Sequence, residues 1–99
     1  MPYRLTREAR ADLDEIWSYI FGESGSEAAA DRVLDSIGEG FDTLVDWPRL
    51  GRRRDDLRPG YRSYAASNYL IFYRISRRTV VILRVLHGRR DIRALFRGS

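Results

Sequence analysis

The chain has no cysteine, no lysine, a single histidine and no long apolar run. Without thiols there is no disulfide, no thiolate metal site and no cysteine nucleophile, in keeping with a reducing compartment. Nothing approaches the ~20 consecutive apolar residues that a bilayer span needs. The opening Met1-Pro2-Tyr3-Arg4 also lacks the apolar core of a signal peptide, so a cytoplasmic protein with no membrane partner is expected. A lone histidine makes acid–base chemistry near neutral pH depend on one side chain, His87. The second half of the chain offers only Asp55, Asp56 and Asp91 as carboxylates. That is a poor supply of oxygen ligands for magnesium, and no metal or other cofactor is expected.

What the chain has is arginine. All eighteen basic residues are Arg, a usage that GC-rich codons account for, and their placement carries more information than their number. Residues 1–47 hold four Arg against eleven acids, a net charge of −7, and residues 48–99 hold fourteen Arg against three acids, a net of +11. The modest total of +4 conceals two opposed halves. The second is suited to an acidic partner, either nucleic acid or an acidic protein segment. The length, 99 residues, suits one domain with one core, residues 1–99.

Tyr3-Arg4-Leu5 is a short strand candidate, and Thr6 is placed to cap a helix in which Ala9, Leu13, Ile16, Trp17 and Ile20 recur at helical spacing. Gly22 to Gly25 is expected to break it. A second helix starts at Ser24 or Ser26, either of which fits as its cap, carries Ala30, Val33, Leu34, Ile37, Phe41, Leu44 and Val45 on one stripe, and ends before Pro48. Gly38 and Gly40 inside it each cost ~1 kcal/mol relative to Ala. Close packing or a groove for a partner would compensate. After Pro48 the period turns to alternation, with strands at Tyr61 to Ala65, Tyr69 to Ile75 and Thr79 to Leu86 separated by short turns. Tyr69, Ile71, Tyr73 and Ile75 oppose Leu70 and Phe72; Val81, Leu83 and Val85 oppose Val80, Ile82 and Leu86. Strands apolar on both faces must be covered twice. The helical hairpin covers one face, and the other falls to the C-terminal segment, a partner chain, or both. Ile92, Leu95 and Phe96 mark that segment as a short amphipathic turn. Trp17 and Trp47 are expected as core or hairpin anchors.

The order strand, helical hairpin, antiparallel sheet resembles the RelE/ParE toxin fold of type II toxin–antitoxin systems. Trp47-Pro48-Arg49-Leu50-Gly51-Arg52 is similar to the loop after the second helix of ParE-like proteins. Leu57-Arg58-Pro59-Gly60-Tyr61-Arg62, Tyr69-Leu70-Ile71-Phe72-Tyr73-Arg74 and Val85-Leu86-His87-Gly88-Arg89-Arg90-Asp91 resemble the three strand signatures in the family's order. The resemblance implies an α+β domain with the hairpin against a three- or four-stranded antiparallel sheet and a short helical tail. It also implies a toxin held as a hetero-oligomer by a ParD-like antitoxin whose flexible C-terminal segment folds over it, and DNA gyrase as the target.

Two other functions remain open to the residues, a ribosome-dependent mRNA endoribonuclease of RelE type and a non-toxic Arg-rich RNA-binding module. A metal-free nuclease would draw on His87, Tyr73, Arg62, Arg74 and Arg84. RelE-type nucleases commonly place an arginine where this chain has Leu70 and a catalytic tyrosine where it has Leu95 and Phe96, so the resemblance leans toward ParE, which needs no catalytic residue. His87, at a strand end before Gly88, is also placed simply to bond the adjoining turn. Arg52, Arg53 and Arg54 form either a solvated loop or a site for phosphate or acidic antitoxin residues. Arg62, Arg74 and Arg84 lie within apolar strands, where they either pair with the acidic helices or present a basic strip. With Leu70, Phe72 and Gly38 they are the expected antitoxin contacts. Arg89, Arg90, Arg93 and Phe96, followed by Arg97, are the expected target contacts.

Overall fold

The computed structural model describes residues 1–90 and 92–96. In chain order its elements are β1 (Tyr3–Leu5), α1 (Arg7–Ser24), α2 (Glu27–Asp46), β2 (Arg52–Arg53), β3 (Arg62–Ala66), β4 (Tyr69–Ser76), β5 (Thr79–His87) and α3 (Ile92–Phe96). Thr6 caps α1 by accepting from the Ala9 N–H, and Ser26, the second of the two candidate caps, does the same for α2 from Ala29. The first helix runs through Gly22 to Ser24. It stops at Gly25, whose φ of 66° is the left-handed conformation that ends helices.

The sheet has five strands in the order β1-β5-β4-β3-β2. The three long strands pair antiparallel as expected, and two short ones extend them beyond the three or four read from sequence. β2, two residues long, adds antiparallel to β3. β1 lies parallel to β5, with Tyr3 beside Val80 and Leu5 beside Ile82. Parallel neighbours need a long connection between them, and here the helical hairpin and β2 to β4 supply it.

One irregularity redirects β5. Phe72 faces Arg84 but the next residue, Tyr73, faces Ile82, so Leu83 is an unpaired extra residue, a β-bulge. Strict alternation would put Val85 opposite to Val80 and Ile82. Past the bulge the faces exchange: Val80, Ile82 and Val85 all join the cluster under the helices, with Ala9, Ile16, Ile37, Phe41, Leu44, Ile71 and Tyr73. Leu86 turns to the far side. The helices approach the sheet closely at Gly40, where a Cβ would lie 2.8 Å from the Ile71 Cδ1, whereas Gly38 faces open space. The cost of glycine in this helix is thus compensated by packing at one position, and nothing in the structure explains the other.

The far face is covered by the chain itself. Phe72, Leu86 and Phe96 form a second buried cluster, flanked by Leu57, Tyr61, Leu70, Leu83, Ile92 and Leu95. Phe96 sits 5.1 Å from the Phe72 ring and 5.8 Å from Tyr61. The Arg54 guanidinium lies over the same Phe72 ring, 5.6 Å from its centroid. Of the coverings that sequence left open, the C-terminal segment, a partner chain or both, the tail takes this role together with the 54–61 loop.

At the β4–β5 turn, Arg77 and Arg78 both have positive φ, 49° and 61°. These are the signs a type I′ hairpin turn requires and that Asn-Gly normally supplies. Each arginine there costs about 1 kcal/mol relative to glycine.

Candidate functional site

Three clusters of polar side chains test the candidate residues. The first closes the open edge of β5. β1 ends at Leu5, and beyond it β5 has no strand neighbour on that side, so its backbone groups need other partners. Thr6 donates its hydroxyl to the Leu83 carbonyl at the bulge, 2.9 Å away. One turn into α1, the buried carboxylate of Asp12 accepts the Val85 N–H at 2.9 Å and grips the Arg84 guanidinium through both oxygens, at 2.8 and 2.9 Å. The bidentate bond to Asp12 raises the Arg84 pKa above its ordinary value. Arg84 thus belongs to an ion pair with the acidic helix. The helical pattern groups Asp12 with Glu8, Asp14 and Glu15 as mostly away from the apolar stripe, but it lies on the buried face with Ala9 and Ile16, because its carboxylate meets the open edge of β5.

The second cluster locks the loop after α2. The Tyr73 hydroxyl donates to the Pro48 carbonyl at 2.7 Å and accepts the Gly51 N–H at 2.8 Å. Burial pushes its pKa up. Beside it, Arg62 donates to the carbonyls of Arg49 and Gly51, at 3.2 and 2.8 Å. Any Cβ at Gly51 would lie 2.4 Å from the Tyr73 hydroxyl. Gly51→Ala should therefore cost about 2–4 kcal/mol, from overpacking and lost hydrogen bonds. A urea denaturation midpoint checks this, and a loss below ~1 kcal/mol would mean the ring moves aside freely.

The third cluster is at the opposite end of β4 and β5. His87 faces Tyr69 across the ladder, and the two rings meet edge to face at 5.5 Å. Its Nδ1 accepts the Arg89 N–H at 3.1 Å, bonding the turn that leads to the tail. A groove of about 600 Å³ opens here between α1 and the sheet end, lined among others by Tyr19, Tyr69, His87, Arg89 and Arg90. Arg93 is exposed on α3 and reaches Asp56 at 3.5 Å. Arg97 lies outside the described residues.

The five groups a metal-free nuclease would need do not converge. Tyr69, opposite His87, and Tyr73, opposite Ile82, are four residues apart on one strand, a separation of roughly 13 Å. Tyr73 and Arg62 hold a loop, Arg84 holds Asp12, and only Arg74 of the set makes no hydrogen bond or ion pair among the described residues. Among those residues there is also no group of three or more His, Asp or Glu that could hold a metal ion. No helix is long and apolar enough to cross a membrane.

Of the expected antitoxin contacts, Arg62 and Arg84 are engaged within the fold and Phe72 is fully buried, while Arg74, Leu70 and Gly38 are partly exposed. Of the expected target contacts, Arg89, Arg90 and Arg93 are exposed but Phe96 is buried, because its ring completes the second apolar cluster. The arginine run divides residue by residue. Arg53 pairs with Asp55, and Arg54 pairs with Asp56 while covering Phe72. The Gly60 N–H lowers the Asp55 pKa and Arg54 lowers that of Asp56. Arg52 stays free on the edge strand. Trp17 anchors the hairpin by donating to Asp31 at 2.9 Å. Trp47, expected to be an anchor as well, is 67% exposed, because its backbone terminates α2 while its ring turns outward.

A family model described as ParE toxin of type II toxin-antitoxin system, parDE, matches residues 3–92. The chain belongs to the ParE toxin family. Toxin ParE1 of Caulobacter vibrioides is 41% identical over 93 residues, which are 94% of this chain and 95% of the relative. The chromosomal ParDE toxin–antitoxin system from P. aeruginosa contains a chain that superimposes with a TM-score of 0.76 at 26% identity, covering 88% of this ParE-family chain and 95% of its counterpart. A chain of the toxin–antitoxin complex RelBE2 from Mycobacterium tuberculosis matches with a TM-score of 0.58 at 31% identity, over 87% of this chain and 95% of that one. The fold and the toxin function expected from the strand signatures both stand.

Proposed function

We propose that this toxin stops growth by binding DNA gyrase rather than by cutting RNA, and that a ParD-like antitoxin neutralises it by covering its basic second half in a hetero-oligomer. The observation that carries the reading is the scatter of the acid–base candidates. The one imidazole is bonded into a turn, the Tyr73 phenol is bonded into a loop, and the two are set four residues apart along the β4–β5 ladder. A phosphate between them would meet neither a poised base nor an acid within hydrogen-bond reach. A protein that blocks its target by binding needs only a surface, and the exposed Arg89, Arg90 and Arg93 supply a basic one. Toxin–antitoxin complexes among the structural neighbours support the antitoxin as partner.

The test combines two measurements. Purified chain is expected to inhibit supercoiling by gyrase in a reconstituted assay, and His87→Ala is expected to arrest growth as the parent does at matched expression. If His87→Ala abolished arrest and ribosome profiles lost an mRNA cleavage signature with it, the nuclease mechanism would replace this one.

A further inference from the structure

The other end of the molecule carries a surface that neither folding nor the tail accounts for. Trp47, Leu50 and Met1 are 67%, 54% and 46% exposed, although each is large and apolar. They converge, with Pro48, Arg49 and Ile75, on one groove of about 360 Å³. Their position is not slack. The Trp47 N–H closes α2 on the Thr43 carbonyl, the Leu50 N–H bonds the Trp47 carbonyl, and Tyr73 holds Pro48 from below. The loop is fixed and its apolar side chains are turned to solvent.

The charge around the groove has one sign on the sheet side. Arg49 lines it. The tip of the β4–β5 hairpin, Arg77 and Arg78, begins two residues beyond Ile75. None of the three guanidinium groups has an ion-pair partner among the described residues, and the nearest carboxylate in sequence is Asp46, which precedes Trp47. The tip arginines hold left-handed backbone conformations that Asn-Gly would adopt without strain. Backbone strain at exposed residues directs attention to what their side chains do.

We propose that this groove is a docking site for an acidic, apolar-bearing segment of the antitoxin, which seats an aliphatic or aromatic side chain against Trp47 and Leu50 and places carboxylates on Arg49, Arg77 and Arg78. The proposal rests on the antitoxin partnership argued above but not on the identity of the target. Buried Trp and Arg anchors commonly dominate such interfaces, and arginine matches carboxylates bidentately. The groove lies at the end of the β4–β5 ladder opposite His87, so antitoxin bound here would leave Arg89 and Arg90 to be blocked by a second part of the same partner. Holding one partner at two separated points multiplies its affinity.

The experiment measures the affinity of full-length cognate antitoxin for the full-length toxin and two variants, Trp47→Ala and the double variant R77N/R78G, across a range of salt. Trp47→Ala is expected to weaken binding at least about tenfold, as for an interface anchor. R77N/R78G is expected to weaken binding and flatten its salt dependence. It should also raise the melting temperature by about 4 °C or more, because it relieves the turn. Weaker binding from a more stable protein cannot be a folding defect. Unchanged antitoxin affinity in both variants would overturn the proposal. So would intact antitoxin affinity with lost growth arrest, which would give the groove to the target, or a change in oligomeric state alone, which would give it to a second copy of the chain. Because the readout is antitoxin binding, it stands whether or not gyrase is the target.

Discussion

Asp12→Ala should lower the unfolding free energy by about 3–5 kcal/mol, a large part of the roughly 5–15 kcal/mol that holds a domain of this kind together. Three partners lose at once. The Arg84 guanidinium, with only 24% of its side chain exposed, is left without its counter-ion. The Val85 N–H loses its acceptor on the side of β5 where β1 no longer reaches. A buried N–H without a partner costs about 1–3 kcal/mol. The helix also loses its one polar tie to the sheet edge beyond Leu83. Asp12→Asn keeps an acceptor for Val85 but not the charge, and should fall between parent and alanine variant. Urea denaturation of the two single variants, Arg84→Ala and the double variants closes the cycle. A loss below ~1 kcal/mol in Asp12→Ala would show that water replaces the carboxylate and that the pair is ornamental.

The tail gives the second large effect, because its apolar residues are packed on the sheet while Arg89, Arg90 and Arg93 are exposed. Phe96→Ala removes a ring packed between Phe72 and Tyr61 and should cost about 3 kcal/mol, at the lower end for a buried phenylalanine because the five-residue helix that carries it can relax. Removing residues 90–99 altogether should unfold the second cluster for the same reason, so truncation alone says little about target contact. The informative variant exchanges Arg89, Arg90 and Arg93 for alanine and leaves Ile92, Leu95 and Phe96 in place. Among the described residues the one ion pair lost, Arg93 with Asp56 at 3.5 Å and largely exposed, is worth only about 0–1 kcal/mol. The melting temperature should therefore hold while growth arrest is lost. Full arrest by this variant would remove the tail from the target surface.

Much of this was legible in the sequence because it follows from periods and caps. The helical stripes, the turn from helical to alternating period after Pro48, and the strand signatures around Tyr61, Tyr69 and Val85 led to the hairpin, the three long strands and the family. What escaped had long-range causes. Nothing local says that Leu83 is skipped in the ladder, yet that one residue moves Val85 and Leu86 to opposite faces from those alternation assigns. Arg84 read equally well as a bare basic strip or an ion pair, because its partner lies 72 residues away. The far face looked open because the covering power of Leu57, Tyr61 and the tail depends on how the 54–61 loop folds, and no periodicity records that. Trp47 was misplaced for the opposite reason: a tryptophan at a helix end normally anchors, and here the backbone does the anchoring.

The parallel pairing of β1 with β5 also fixes when the sheet can close. Residues 3–5 are made before residues 79–87, and their place in the sheet exists only once the latter have been added. Until then the helical hairpin has an apolar stripe and no sheet to lay it on, and closing so long a loop comes late in folding. A nascent chain, or one cut short by a broken message, therefore lacks the sheet edge that Asp12 seals and the basic tail that follows it. The surface on which the helices rest is thus complete only after the last long strand of the sheet has been made.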